Sequence, residues 1–399
     1  MVPKLRFRAF SEEYNIRKLK ETADIVTGNT PSTSNRNFYG GEYMFVSPVD
    51  INEGKFVSHT KTTVSKEGFI NGREIPAYSV MFVCIGSTIG KLAINSNPCI
   101  TNQQINSLIC NAYFSANYLY SILEKHSKKI KELAGMQAVP LINKTTFSNV
   151  ELYFPNIEEQ TKVASFISSV DEKISLMNKQ YDLLCQYKKC IIQKIFSQEV
   201  RFKDDSGDEF PEWEEVELKK IASKVNTKNR DNSVTAVLTN SATQGIVSQE
   251  SYFEREIVTE SNLTGYYVVR IGDFVYNPRI SSTAPVGPIK MNELTQGVMS
   301  PLYMVFRFEK GLLKFYQYFF ESSVWHDYMK SVANSGARHD RMNISGADFF
   351  GLPVPQPFET EQTKIANFLS ALDDKIAVKK AELDKLKTWK QGLLQQMFV

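Results

Sequence analysis

Apolar residues recur along two stretches of this chain at the spacing of a long helix, and the two stretches read alike. In the second, Ile365, Leu369, Leu372, Ile376, Lys379, Leu383, Leu386, Lys390, Leu393 and Met397 follow at alternating intervals of four and three. In the first, the same intervals hold Val163, Ile167, Val170, Ile174, Met177, Tyr181, Leu184, Lys188, Ile191 and Ile195. A 4-3 alternation is a heptad seam, which leaves one apolar stripe that must be covered by another helix. About 40 residues at roughly 1.5 Å each make a rod of about 60 Å. Asn156 followed by Glu159 predicts a capping box at the first helix start, and Pro155 and Pro357 stand just upstream, where proline does no harm. Lys188 and Lys390 interrupt the two seams at the same place. Each either snorkels or pairs with an acid.

The two stretches are copies. A shift of 202 residues lays Pro155–Phe196 on Pro357–Phe398 without a gap, with 16 identities in 42 pairs. Amphipathic periodicity does not explain the matched Gln160/Gln362, Thr161/Thr363, Lys162/Lys364, Asp171/Asp373, Lys173/Lys375 and Ile174/Ile376. The repeat continues faintly outward. Tyr14, Leu19, Ala23 and Val26 resemble Trp213, Leu218, Ala222 and Val225, and Arg6-Phe7 resembles Arg201-Phe202. Helical patterns near Tyr118–Leu133 and Leu312–Val332 correspond as well. The order is therefore globule, helix, globule, helix: residues 1–154, 155–199, 200–354 and 355–399. The nearest partner for each rod is the other copy. An antiparallel pairing would bring Met1 near Val399 and make the chain nearly cyclic.

Inside the globules, Pro76–Ile85 and Val268–Tyr276 have the β-branched and aromatic content of strands, punctuated by Gly86, Gly90, Gly272 and Gly287. Each globule reads as α/β (α+β), a strongly bent mixed sheet with one or two helices. Lys203 to Glu209, polar and acidic, reads as a turn between the first helix and the second globule.

Composition narrows the class. The 399 residues are 42% hydrophobic and 23% charged, as in ordinary globular proteins. No apolar run approaches the ~20 residues of a membrane span. The start is basic and aromatic, unlike a signal peptide. A cytoplasmic, nucleoid-associated location is expected. Cys84, Cys99, Cys110, Cys185 and Cys190 are too scattered for a disulfide framework and read as free thiols. Net charge is only +3, but residues 1–155 carry 17 basic and 12 acidic side chains, 17 − 12 = +5.

Catalytic motifs fail one by one. Gly86-Ser-Thr-Ile-Gly90-Lys91 has three residues between its glycines where a phosphate loop needs four, and Leu92 stands where Ser or Thr is required. Asp50 and Glu53 imitate a nuclease pair, but three apart in a loop they lack the rigid, separate supports of metal-sharing acids. His59, His126, His326 and His339 have no Cys or His at ligand spacing. Asn277-Pro278 is followed by Arg279, so the Asn-Pro-Pro-aromatic signature of an adenine methyltransferase is missing. A non-catalytic binding protein without its own metal or cofactor is expected.

Pro155…Glu159-Gln160-Thr-Lys-Val-Ala…Asp171-Glu-Lys-Ile and its copy from Pro357 resemble the two helical spacers of type I restriction–modification specificity subunits. Tyr14…Leu19…Gly28-Asn-Thr-Pro31, Gly86–Lys91, Thr101–Gln104, Gly135-Met-Gln137, Gly272–Pro278 and Ser300–Tyr303 are similar to segments of their target recognition domains. The resemblance covers nearly the whole chain. It implies two target recognition domains, each reading one half of a split, asymmetric site in double-stranded DNA. It also implies an antiparallel coiled coil that sets the gap between the halves. The implied partners are two methyltransferase subunits and two restriction–translocase subunits, which carry the S-adenosylmethionine, ATP and Mg. A stand-alone nuclease and a coiled-coil scaffold are the alternatives. Base edges are read by Arg, Asn and Gln, and phosphates are held by Lys and Arg. In the first half the candidates are Asn102, Gln103 and Gln137 for bases, with Lys91 and Lys144 for phosphate. In the second they are Arg279, Arg338, His339, Arg341 and Asn343. The stretch Arg338-His339-Asp340-Arg341 is set against Gln137-Ala138-Val139-Pro140.

Overall fold

The computed structural model describes residues 1–399 apart from 53, 136–138, 254–259 and 335–339. The chain divides into two compact units, 1–181 with 379–399 and 182–378, each holding part of both long helices.

The first unit begins with β1 (Asn15–Lys18), α1 (Leu19–Thr22), β2 (Ala23–Thr27), β3 (Tyr39–Val46), β4 (Phe56–Val57), β5 (Thr62–Val64) and α2 (Lys66–Ile70). There follow β6 (Val80–Val83), β7 (Leu92–Asn95), β8 (Cys99–Thr101), β9 (Ile105–Cys110), α3 (Ala116–Lys131), α4 (Lys144–Ser148) and β10 (Glu151–Phe154). Its main sheet has the order β2-β9-β6-β7-β4, beside a smaller sheet β5-β3-β8 and a ribbon β1-β10. The pairs β4–β7 and β3–β8 are parallel and the others antiparallel, so the sheets are mixed. Core side chains such as Phe82, Leu108, Tyr118 and Phe147 are fully buried between the main sheet and α3 and α4. Helix α5 (Ile157–Phe196) then leads out.

The second unit repeats this frame through β11 (Glu214–Glu217), β12 (Ala222–Lys224), β13 (Leu238–Ser241), β14 (Gly245–Ser248) and α6 (Gln249–Phe253). It continues with β15 (Tyr267–Val269), β16 (Phe274–Tyr276), β17 (Ile289–Met291), β18 (Gly297–Met299) and β19 (Met304–Phe308). Helices α7 (Leu313–Glu321), α8 (His326–Ser331) and α9 (Gly346–Phe350), strand β20 (Pro353–Gln356) and helix α10 (Glu359–Met397) close the chain. The order β12-β19-β16-β17 matches β2-β9-β6-β7, and the ribbon β11-β20 matches β1-β10. The stacked pair Tyr276–Phe349, centroids 5.0 Å apart, stands where Phe82–Phe147, also 5.0 Å apart, stands in the first. Two sequence expectations are refined here. The run Val268–Tyr276 is two strands in different sheets, because Gly272 at φ +88 turns the chain between them. The pattern Leu312–Val332 is two helices, α7 and α8, broken at Ser322, whose extended backbone caps α7.

The long helices run antiparallel within each unit. In the first, Val163, Ile167 and Val170 of α5 share a core with Leu393, Leu394 and Met397 of α10, while Lys390 pairs with Asp171. In the second, Ile192 and Ile195 meet Ile365 and Leu369, and Lys188 pairs with Asp373. Both seam lysines therefore end in ion pairs. Lys390 also reaches Glu124 of α3, and Lys188 reaches Glu321 of α7. Met1 and Val399 line one cleft, and Leu5 N–H donates to the Gln396 carbonyl at 2.9 Å.

The duplicated Glu-Gln at each helix start fastens the helix to its own globule. Arg6 grips Glu159 through Nε and Nη2, both at 2.7 Å, and the Tyr14 hydroxyl adds a third bond. Arg201 and the Trp213 indole do the same for Glu361. Gln160 bonds the backbone of Ser115 and Pro155, and Gln362 that of Leu312 and Pro357. The capping box is half formed. Asn156 accepts from the Glu159 N–H at 2.9 Å, but the Glu159 carboxylate turns to Arg6, whose full charge is the stronger partner.

Candidate nucleic-acid interface

The register of the first main sheet puts three loops at one end. Thr27 opposes Asn106, Val83 opposes Ile105, and Phe82 opposes Leu92. The loops leaving this row are Gly28–Pro31, Cys84–Lys91 and Asn102–Gln104. They are tied together. Gly28 N–H donates to the Ile105 carbonyl, and a Cβ on Gly28 would collide with the carbonyl oxygens of Thr101 and Asn102, so only glycine fits. Cys84 N–H donates to the Gln104 carbonyl, and Gln104 Nε2 donates to the Ile85 carbonyl. A fourth segment joins them: Ile142 N–H bonds the Cys84 carbonyl and Gly86 N–H the Pro140 carbonyl, a bridge of Ile85 with Leu141. Sequence-distant segments with the resemblance's motifs thus form one surface.

The candidate residues divide by role. Asn102 is inward-turned: its Nδ2 donates to Gln104 Oε1 and its Oδ1 accepts from Gln104 N–H. It shapes the turn. Gln103 is exposed and accepts from Thr30 Oγ1 at 2.7 Å, with no partner for its amide nitrogen among the described residues. Lys91 and Lys144 are exposed at the same end, Lys144 in the first turn of α4 behind its cap Asn143. Gln137, Arg338 and His339 lie outside the described residues. The Gly86–Lys91 segment opens into strand β7, so it has no helix N-terminus to aim at a phosphate. Asp50 shapes its own loop by accepting from Ser47 N–H, Ser47 Oγ and Lys61 N–H.

The second unit builds the same end from other residues. Met342 N–H donates to the Pro278 carbonyl at 2.8 Å and Ile280 N–H to the Asp340 carbonyl at 3.0 Å. The bridge is Arg279 with Arg341. Matching these bonds to those of the first unit sets Asp340 on Pro140 and Arg341 on Leu141. This shifts by one residue the alignment read from sequence, which had Arg341 on Pro140. One carboxylate, Asp340, lies 3.8 Å from the Nε of both arginines. Sequence reasoning did not select Asp340, although it stood between selected neighbours. Arg279 is exposed, Arg341 is half-buried, and Asn343 is exposed. Asn343 lines a cleft of about 200 Å³ with Pro278, Pro301, Tyr303, Met342 and Lys224. Gly287, at φ +82, backs this end. A Cβ there would strike the Asn277 carbonyl oxygen.

A sequence model described as the type I restriction modification DNA specificity domain matches residues 11–186 and again 211–388. The MjaVIII specificity subunit of Methanocaldococcus jannaschii is 22% identical over 96% of this chain and 91% of its own. The HindI specificity subunit of Haemophilus influenzae is 30% identical over 47% of this chain. The match spans 42% of that relative's length. A crystal structure of the S subunit of a type I restriction–modification system from M. genitalium superposes with a TM-score of 0.55, over 100% of this chain and 99% of that one, at 14% identity. At that identity the superposition speaks for the fold. No helix among the described residues is long and apolar enough to cross a membrane.

Proposed function

Because the chain belongs to the type I restriction–modification DNA specificity family, we propose that it reads a split, asymmetric DNA site, one half with the loop end of each unit. It thereby directs adenine methylation and restriction by partner subunits. The observation that carries this reading is the pair of matched bridges. Identical backbone bonds hold Ile85 and Leu141 in one unit and Arg279 and Arg341 in the other. A common frame with different side chains at the same places is what two readers of different base sequences require.

Roles follow from chemistry. Arg279 and Arg341 reach guanine edges, and Asp340, 3.8 Å from the Nε of each, offsets the repulsion between the two cations. Gln103 offers its free amide to a base. Lys91 and Lys144 face phosphate, and Asn102 keeps Gln103 in place. The chain itself is non-catalytic in this reading. S-adenosylmethionine, ATP and Mg²⁺ act in two methyltransferase and two restriction subunits, in the cytoplasm.

Methylome sequencing of cells carrying Arg279→Ala or Arg341→Ala tests it. A bidentate arginine–guanine contact discriminates by about 1–3 kcal/mol. Each variant should relax base choice in one half of the methylated site only. Relaxation of both halves together would overturn the assignment.

A further inference from the structure

Helix α3 ends in a run of cations, Lys125, Lys128, Lys129 and Lys131, with no acid among residues 125–131. Two of the four have local explanations. Lys125 Nζ donates to the Phe398 carbonyl at 2.7 Å, and Lys129 lines the cleft beside Met1 and Val399. Lys128 and Lys131 are exposed and form no ion pair among the described residues. Glu132, also exposed and adjacent in sequence, is the one acid beside them.

Their position is informative. The Cys84–Lys91 loop lies on α3 at Ser127: an added Cβ on Gly90 would sit 3.6 Å from the Ser127 carbonyl oxygen and 3.8 Å from its Cβ. Lys128 is the next residue, and Lys131 is one turn beyond Ser127 on the same face. Lys91 follows Gly90 directly, and Lys144 begins α4 just beyond the Ile142–Cys84 bond. Like Lys128 and Lys131, Lys91 and Lys144 make no ion pair among the described residues. In the second unit the matching helix stops at Glu321, the counterpart of Glu124, because the chain turns extended at Ser322; α3 instead runs on to Lys131, so the helical turns that carry Lys128 and Lys131 have no continuation in α7.

We infer that Lys128 and Lys131, on the turns by which α3 outlasts α7, extend the first reading loops into a track for the DNA phosphate backbone in the first unit. The inference rests on the DNA-reading function above. The rival account is that these lysines merely complement the C-terminal end of the helix dipole. It predicts no effect on DNA.

The test uses the full chain assembled with its methyltransferase subunits, and two duplexes: one of random sequence and one carrying the site found by methylome sequencing. Binding is measured across a salt series for the wild type, Lys128→Gln/Lys131→Gln, Lys128→Arg/Lys131→Arg, and Lys173→Gln/Lys179→Gln as an exposed control on α5. Each phosphate contact contributes about 0.9 to the slope of log K against log salt. The first variant should lose about 1.8 of slope on both duplexes alike, while the arginine variant and the control keep the wild-type slope. An unchanged slope in Lys128→Gln/Lys131→Gln overturns the track. The DNA-reading function fails separately if the wild type binds both duplexes equally.

Discussion

At the residue scale, neighbouring polar side chains do different work. Asn102 has both side-chain atoms committed to Gln104, whereas the exposed Gln103 has no partner for its amide nitrogen among the described residues. Asn102→Ala should lower stability by about 1–2 kcal/mol, since it leaves the Gln104 partners unsatisfied. Gln103→Ala should leave the melting curve in place and relax one base position in the methylome. The reverse pattern would exchange the two roles. Lys55 shows what burial does to a charge. It donates to Ser168 Oγ at 2.7 Å beneath the ring of Tyr120, and burial pulls its pKa down to about 8, against the opposing pull of Asp171. A lysine with a depressed folded pKa binds fewer protons folded than unfolded between pH 8 and 10.5, so stability rises with pH across that window. Relative to Lys55→Met, the wild type should gain up to about 3 kcal/mol between those limits. A difference that does not change with pH would show that the ammonium group is not desolvated.

At the element scale, each long helix is held by polar bonds at its start and an ion pair in its seam. The two seams are variations on one design. In the second unit the Tyr318 hydroxyl reaches Asp373 at 2.7 Å and also Ser370. In the first unit Ser121 occupies the tyrosine's place, and Lys55 takes the bond to Ser168, the counterpart of Ser370. The helix starts are the more vulnerable part. Glu159 is buried, and its removal would leave Arg6, itself only 14% exposed, without its anion. Loss of one partner from such a pair costs about 3–5 kcal/mol. Glu159→Ala should therefore lower the melting temperature markedly. Hydrogen exchange should report the loss first in β1, β10 and the start of α5. Uniform protection across the chain would contradict this local role.

At the scale of the whole molecule, both units inherit their main sheet and their helix attachments from one plan, and the long helices run through both. If the helices set the distance between the two readers, four residues inserted into α5 after Tyr181 and four into α10 before Lys379 add one turn, about 5.4 Å. At about 3.4 Å per base pair, the gap in the methylated site should grow by about one to two base pairs. The bases read in each half should stay the same. Rewritten half-sites in the methylome of this variant would mean that the helices take part in reading.

The helices, their antiparallel pairing and the duplicated plan were legible in the sequence because a heptad seam and a copied polar code are local and periodic. The Glu-Gln repeat was visible as a signal, yet its purpose was not. Arg6 and Arg201 lie more than 150 residues from the glutamates they hold, and only folding brings them together. The sheets were less legible, since β12-β19-β16-β17 repeats β2-β9-β6-β7 with few shared residues: a buried strand asks for apolar character rather than identity. The candidate loops were chosen by residue type, and type alone could not separate Asn102, tied to Gln104, from Gln103, which is exposed. Nor could it place Arg279 opposite Arg341 with Asp340 between them. That pairing joins residues about 60 positions apart through backbone hydrogen bonds, which carry no trace in side-chain pattern. Composition and periodicity determined the frame of this protein. The close approach of distant loops, decided by tertiary structure, determined which polar side chains are tied to neighbours and which are left exposed.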